Sequence, residues 1–118
     1  MRTIRLSESD DYDPDHVVAI GLLAGEHSNV RLIRLGPGQT LPPHTHSTSD
    51  LFLYAVEGQG QLDTPDGVVV FDAGMLAQYA GHEELRVANS STTGLTLLAF
   101  LAPVFPPDAP PSAETVRD

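Results

Sequence analysis

The sequence contains no cysteine and no lysine, and these absences exclude several kinds of site. Without cysteine there are no disulfides, thiolate metal ligands or cysteine nucleophiles. Cysteine usage therefore does not indicate whether the protein works in an oxidising or a reducing compartment. The 6 basic residues are all arginine and face 16 acidic residues, which gives a formal net charge of −10. The negative electrostatic potential of such a charge repels nucleic-acid phosphates and anionic membrane surfaces. We therefore expect neither a nucleic-acid partner nor a membrane partner.

Long apolar runs and helical periodicity are also missing. No run approaches the length of a membrane span, and the N-terminus M-R-T-I-R-L-S-E-S-D-D lacks the apolar region of a signal peptide. This pattern predicts a cytoplasmic protein. No stretch of about 11 residues keeps apolar spacing of 3.6 without an intervening Gly or Pro, so helices are not expected.

What the sequence does contain is a regular punctuation of short apolar runs by Gly and Pro, each of which occurs 10 times. This rhythm is typical of an antiparallel all-β domain. The predicted strands are Thr3 to Leu6, His16 to Leu23, Asn29 to Leu35, Leu51 to Glu57, Gly60 to Asp63, Val68 to Asp72, Met75 to Tyr79, Leu85 to Asn89 and Leu95 to Ala102.

The chain is long enough for one hydrophobic core and too short for two domains of ordinary size. We predict an acidic N-terminal segment over residues 1–15, a barrel over residues 16–103 and a Pro-rich tail over residues 104–118. The turn Thr64-Pro65-Asp66-Gly67 predicts a hairpin, because Pro presets φ and Gly tolerates a positive φ. The run Val17 to Ala24 is apolar on every face and leaves its element type open.

Two histidines separated by one residue follow the bend G-P-G-Q-T-L-P-P. In an extended segment side chains alternate, so His44 and His46 are expected on one face, where two imidazoles can share a cation. The long apolar strand D-L-F-L-Y-A-V-E-G follows the pair and ends at turn glycines. This context favours a metal-binding edge over a polar turn.

The same region resembles the cupin superfamily. Its first motif is a glycine, five residues, His-x-His, three or four residues, a glutamate, six residues and a glycine, and it is matched by Gly38, His44, His46 and Gly58. The second motif is matched more loosely within Val68 to Asn89, through Ala73-Gly74, Ala80-Gly81, His82 and Asn89. The resemblance implies a double-stranded β-helix, which is a jelly-roll barrel of two facing sheets, with the histidines at one mouth.

The resemblance breaks at the two remaining ligand positions of the family. The family's glutamate is absent: counting forward from His46 reaches Asp50, whereas counting back from Gly58 reaches Leu51. A β-bulge between Ser47 and Asp50 would absorb the extra residue and turn Asp50 inward.

The histidine of the second motif is displaced in the same way. Glu84 stands three residues past Gly81, and Leu85 stands four residues before Asn89. Two alternatives follow. Either His82 or Glu84 completes a non-standard metal site with His44 and His46, or this edge of the barrel has lost its metal ligand. The candidate metal ligands are His44, His46, Asp50, His82 and Glu84.

Two arginines of one predicted strand, Arg31 and Arg34, have opposite parity, so a regular strand turns at most one of them into the pocket. An inward arginine can clamp a carboxylate. No residue is assigned a catalytic role, and Tyr54 and Tyr79 are expected to fill the core or an interface.

Three functions remain open. The first is a metal-dependent enzyme that uses Fe, Mn, Ni or Zn on a small organic molecule, in which case the resemblance implies dioxygenase, isomerase or decarboxylase chemistry without choosing among them. The second is a non-catalytic barrel that binds or senses a small molecule at a degenerate metal site. The third is a structural barrel, and a homodimer through Val17 to Leu23 and the Pro-rich tail is expected in any case.

Overall fold

Nine strands form two antiparallel sheets in residues 1–107, the part of the chain that this computed structural model describes. The five-stranded sheet has the order β1-β2-β9-β4-β7, and the four-stranded sheet has the order β3-β8-β5-β6. The bounds are β1 Val18–Ala24, β2 Asn29–Leu35, β3 Thr40–His44, β4 Asp50–Glu57, β5 Gln59–Thr64, β6 Gly67–Asp72, β7 Leu76–Tyr79, β8 Leu85–Ala88 and β9 Leu95–Ala102. The predicted all-β jelly-roll barrel is confirmed.

The core lies between the two sheets and is built mainly from leucine. In β4 the buried Leu51, Leu53 and Ala55 alternate with more exposed side chains, as the two-residue period of a strand requires. The partner strand β9 contributes the buried leucines Leu95, Leu97 and Leu101, and Leu41, Leu62, Phe71, Leu85 and Val87 come from the four-stranded sheet. Fully burying each such leucine stabilises the fold by about 1.5–3 kcal/mol.

Strand β2 has buried residues on both of its faces. One face contributes Ile33 and Leu35 to the core. The opposite face carries Leu32, which is fully buried, and Arg34, which is 7% exposed. The acidic N-terminal segment covers this second face, because the Arg34 guanidinium donates hydrogen bonds to the carbonyl oxygens of Leu6 (3.0 Å) and Asp10 (2.8 Å).

A network of polar side chains fastens the same segment to the barrel. The Tyr12 hydroxyl lies 2.6 Å from the Thr96 hydroxyl and donates to Glu57 at 3.0 Å. The Arg34 guanidinium donates to Thr96 at 2.9 Å and lies 3.5 Å from the Glu57 carboxylate. The N-terminal segment therefore packs on the barrel through named contacts.

The predicted strand Thr3 to Leu6 is wrong. Residues 1–5 form no strand, and Leu6–Glu8 is a 3₁₀ turn. The backbone of this segment accepts hydrogen bonds from the Arg34 side chain and does not pair with a neighbouring strand. Its alternation of apolar and polar residues therefore does not place it in a sheet.

Strand β3 is the one strand within residues 1–107 that the sequence did not predict. It contains Pro42 and Pro43, which ordinarily argue against a strand because proline donates no ladder hydrogen bond. The chain accommodates both prolines because β3 is an edge strand, with an irregular register between Leu41 and His44 where it pairs with β8.

The other local predictions agree with the structure. The ambiguous run from Val17 becomes strand β1. The hairpin is confirmed, because Thr64 pairs with Gly67 at the turn, where Gly67 has a φ of 124°, and β5 and β6 stay in register up to Gln59 and Asp72.

In the predicted Pro-rich tail, Phe105 packs against the core, and residues 108–118 lie outside the described residues. Within residues 1–107, no helix is long and apolar enough to cross a membrane.

Candidate functional site

The histidine pair lies where β3 ends and the chain turns into β4. His44 is the last residue of β3 and pairs with Leu85 of β8. His46 follows in the turn, and its backbone N–H donates to the Gly81 carbonyl oxygen at 2.8 Å. The two imidazole rings lie edge to face with their centroids 4.6 Å apart. The expected proximity of the two side chains is therefore present in the structure.

A tight turn and a glycine hold this corner of the barrel in place. The Ser49 N–H donates to the His46 carbonyl oxygen at 2.9 Å, and Ser47 has a positive φ of 56°. The β7–β8 loop passes so close beneath the turn that a Cβ on Gly81 would clash with the Ser47 carbonyl oxygen. Only glycine fits there without a shift of the backbone.

The two histidines have different surroundings. His44 is exposed, and its Nδ1 lies 2.9 Å from the Pro42 carbonyl oxygen. Because a carbonyl only accepts, Nδ1 carries the proton and Nε2 keeps a free lone pair. His46 is 3% exposed, and its Nδ1 has no hydrogen-bond partner within residues 1–107.

Burial decides the protonation state of His46. Desolvation, followed by the neighbouring His44, lowers the pKa of His46 to about 4. Its imidazole is therefore neutral at pH 7, with one ring nitrogen that can donate and one that can accept. An uncharged buried ring with an unpaired nitrogen is able to bind either a metal ion or a polar group of a ligand.

A short strap from the end of β9 crosses beside His46. The Asn29 side chain binds both backbone polar groups of Phe105, accepting from its N–H at 2.9 Å and donating to its carbonyl oxygen at 2.7 Å. The Ser49 hydroxyl donates to the Pro103 carbonyl oxygen at 2.7 Å. The Phe105 ring then lies edge to face against His46, with centroids 5.2 Å apart.

Of the predicted ligands, Asp50 lies next to the pair in sequence but is exposed. Instead of the expected β-bulge between Ser47 and Asp50, Ser47 and Thr48 form a turn, and the register shift of β4 lies farther along, between Ala55 and Glu57. Asp50 and Leu51 alternate, so the buried Leu51 faces the core and Asp50 faces away from it.

His82 and Glu84 line a cavity whose wall does not include His44 or His46. It has a volume of about 470 Å³ and lies between the β7–β8 loop and the β5–β6 hairpin, with Tyr79 and Arg86 also in its wall. Both residues are exposed, and Glu84 binds the Arg86 guanidinium at 2.6 Å. Among residues 1–107 there is no group of three or more His, Cys, Asp or Glu side chains placed to hold a metal ion.

Leucines occupy the two positions where the cupin motifs carry the other ligands. Leu51 stands at the glutamate position counted back from Gly58, and it is fully buried. Leu85 stands at the histidine position counted back from Asn89; it is 1% exposed and pairs directly with His44. The histidine pair therefore adjoins an apolar interior rather than further donors.

The two arginines of β2 have separate environments, as their parity predicted. Arg31 shares a strand face with the core residue Ile33 and is half-buried. Arg34 faces the N-terminal segment and is fully engaged there. Arg31 is thus the arginine that lies on the barrel side.

Sequence reasoning missed Asn29 and the role of Phe105. Asn29 is 4% exposed and lies on the core side of strand β2. A polar residue at such a position needs a partner, and this was the available signal for a functional contact. Its partner, Phe105, lies 76 residues away in the sequence, and that distance conceals the pairing.

Comparison with known proteins places the fold. A family model described as Cupin domain matches residues 31–101. The crystal structure of TT1209 from Thermus thermophilus is 28% identical and superposes with a TM-score of 0.80 over 88% of this chain and 99% of that chain. No curated protein sequence matches the chain.

Two further solved structures share the fold at lower identity. An RmlC-like cupin protein from Desulfovibrio desulfuricans is 22% identical, with a TM-score of 0.78 over 89% of this chain and 99% of that chain. The Cupin_2 domain of an XRE family transcriptional regulator from Enterobacter cloacae is 15% identical, with a TM-score of 0.62 over 74% of this chain and 96% of that chain.

Proposed function

The chain belongs to the cupin family, and from this premise we propose that it binds a small organic molecule in the barrel without a resident catalytic metal. The observation that carries the proposal is His46, whose Nδ1 is buried and unpartnered within residues 1–107. Burying a polar atom without a hydrogen bond costs about 1–3 kcal/mol, and a ligand that bonds to it recovers this free energy.

The donor set does not fit a catalytic metal centre. Catalytic sites for a divalent ion usually combine three protein ligands with an open position. Here His44 and His46 supply two. Counted back from Gly58 and Asn89, the remaining motif positions carry Leu51 and Leu85, which have no donor atom; counted forward, they carry Asp50 and Glu84, which are exposed. The proposal therefore includes no chemical step at Fe, Mn, Ni or Zn.

The residues at this end of the barrel support recognition by a combination of apolar contact and a few hydrogen bonds. The partly buried Phe105 ring, which packs against the leucine core, offers apolar surface to the carbon skeleton of a ligand. His46 offers a neutral ring nitrogen, and His44 offers the Nε2 lone pair left free by its bond to Pro42. Predominantly apolar walls with few placed polar groups are the usual composition of small-molecule sites.

A thermal-shift screen with neutral alcohols, amides and ketones tests this proposal. Compounds that bind should raise the midpoint of unfolding of the wild type, and His46→Leu should abolish that shift because it removes the polar contact. His27→Leu is the matched control, because His27 is exposed in the β1–β2 turn. Stabilisation that survives unchanged in His46→Leu would refute the assignment of this end of the barrel.

A second candidate function is metal binding by the histidine pair, with water or a ligand completing the coordination. The observation that favours it is the 4.6 Å separation of the two rings, both of which keep a nitrogen free of protein contacts within residues 1–107. Elemental analysis after equilibration with a limiting mixture of divalent ions tests it. Near-stoichiometric metal that is lost in a His44→Ala, His46→Ala variant would support this candidate over the first.

A further inference from the structure

Arg31 is the one basic residue on the core side of the five-stranded sheet in residues 1–107. It lies on β2 between Asn29, which holds Phe105, and Ile33, which belongs to the core, and all three share a strand face. The side chain is half-buried, and burial alone lowers the pKa of Arg31. A guanidinium in this position has lost part of its hydration.

Nothing in the described chain replaces that hydration. Within residues 1–107, the Arg31 side chain makes no hydrogen bond, ion pair or ring contact, whereas the Arg34 side chain on the opposite face has four hydrogen-bonding or ionic partners in Leu6, Asp10, Thr96 and Glu57. Partly buried charges are ordinarily paired, because the desolvation of an unpaired ion is costly. The half-buried guanidinium on the barrel side is therefore available to pair with an anion.

The residues beside Arg31 in the sheet are mostly small. In the cross-strand row that contains it, its direct neighbours are Gly21 on β1 and Ala99 on β9, and the row continues through Leu53 to Ala77. Three of these four neighbours have a methyl group or no side chain at all. The long Arg31 side chain thus rises above small residues on the interior face.

Arg31 is also linked to the histidine pair through a short series of contacts. Asn29 lies two residues before Arg31, about 7 Å away along the strand. Asn29 binds Phe105, and the Phe105 ring contacts His46 at 5.2 Å between centroids. The unpaired cation therefore lies one strand-face position from the residue that holds Phe105, and the unpaired imidazole nitrogen belongs to the ring that Phe105 contacts.

We propose that the ligand of the barrel is an organic carboxylate, whose carboxylate group pairs with Arg31 while its carbon skeleton lies toward Phe105 and the histidine pair. This inference rests on the proposed small-molecule function and adds the chemical class of the ligand. The planar guanidinium matches a carboxylate with two parallel hydrogen bonds, and burial strengthens such a pair.

Titration calorimetry with butanoate, hexanoate and benzoate, each beside its primary amide, tests the inference. The amide keeps the size and shape of the acid and removes the charge. The wild type should bind the acids more tightly, and Arg31→Gln should weaken acid binding on the order of 10- to 100-fold while leaving amide binding unchanged. Arg31→Lys keeps the charge without the planar fork and should give an intermediate loss.

Arg5→Gln is the matched control, because it removes the same charge from an exposed position and should leave binding unchanged. Equal affinity of the wild type for acid and amide would overturn the carboxylate inference while the proposed function stands. Absence of binding by every compound would overturn both. Without any ligand, Arg31→Gln should keep the wild-type midpoint of unfolding, and a large decrease would overturn the inference because it would give the guanidinium a structural role.

Discussion

At the scale of single residues, the protonation of His46 connects burial to stability. The unfolded chain takes up a proton near the ordinary histidine pKa of about 6.5, whereas in the folded protein burial lowers the pKa of His46 to about 4. Between these two values the unfolded state binds more protons than the folded state. Folding stability must therefore fall as the pH falls through this interval.

The predicted result is a pH-dependent loss in the free energy of unfolding of metal-free protein. The slope contributed by His46 should approach 1.4 kcal/mol per pH unit between about pH 6 and about pH 4.5. Urea unfolding measured across this range for the wild type and His46→Leu isolates the contribution of His46, because all the other titratable groups are present in both proteins. Identical pH profiles for the two proteins would contradict a buried, neutral His46.

At the scale of elements, the strap of Pro103 to Phe105 depends on one side chain from a distant strand. Asn29→Ala should leave the Phe105 N–H and carbonyl group without their partners and lower the free energy of unfolding by about 2 kcal/mol. Asn29→Asp is the matched control: its carboxylate still accepts from the Phe105 N–H but donates nothing to the carbonyl oxygen, so its effect should be smaller.

Hydrogen exchange reports on the strap directly. The Phe105 amide should exchange much faster in Asn29→Ala, while amides in the central pair β4 and β9 keep their protection. Protection of Phe105 that is unchanged in Asn29→Ala would show that the packing of its ring, rather than the asparagine, holds the strap.

The elements also show which features the sequence could predict. Most strands and the Thr64–Gly67 hairpin followed from local signals, since alternation and turn chemistry are properties of neighbouring residues. Strand β3 did not, because only its edge position makes Pro42 and Pro43 acceptable. The strand predicted over Thr3 to Leu6 failed because a distant arginine, rather than a strand, binds this backbone.

The candidate site also contains local features that the sequence predicted and long-range contacts that it did not. His44 and His46 were predicted to lie together because the spacing is local, and their rings are 4.6 Å apart. The position of Asp50 depended on a one-residue difference in register, and the structure has a turn at Ser47 and Thr48 where a bulge was expected, with the register shift of β4 between Ala55 and Glu57. Contacts between distant segments, such as Asn29 with Phe105, leave no local pattern to find.

At the scale of the whole molecule, the homodimer stays a prediction, and the sheet surface offers a specific place to test it. Phe52 and Phe100 are register partners on the outer face of the five-stranded sheet and are 43% and 40% exposed. Exposed apolar surface of this kind often marks an interface. The interface expected from the sequence, at β1, lies on the edge of the same sheet.

Analytical ultracentrifugation at micromolar concentration should show a dimer for the wild type. Phe52→Glu should shift it to a monomer if the outer face is the interface, and Ile20→Glu should do so if the β1 edge is. A monomeric wild type would remove the predicted dimer altogether.

The central claim is that leucines at two motif positions make the barrel a site for an organic molecule rather than for a resident metal. The direct measurement is metal content after equilibration with a limiting mixture of Fe, Mn, Ni and Zn, for the wild type and for a Leu51→Glu, Leu85→His variant that restores the missing donors. The account predicts well below stoichiometric metal in the wild type and a clear increase in the variant. Near-stoichiometric metal in the wild type, lost when His44 and His46 are replaced by alanine, would contradict it.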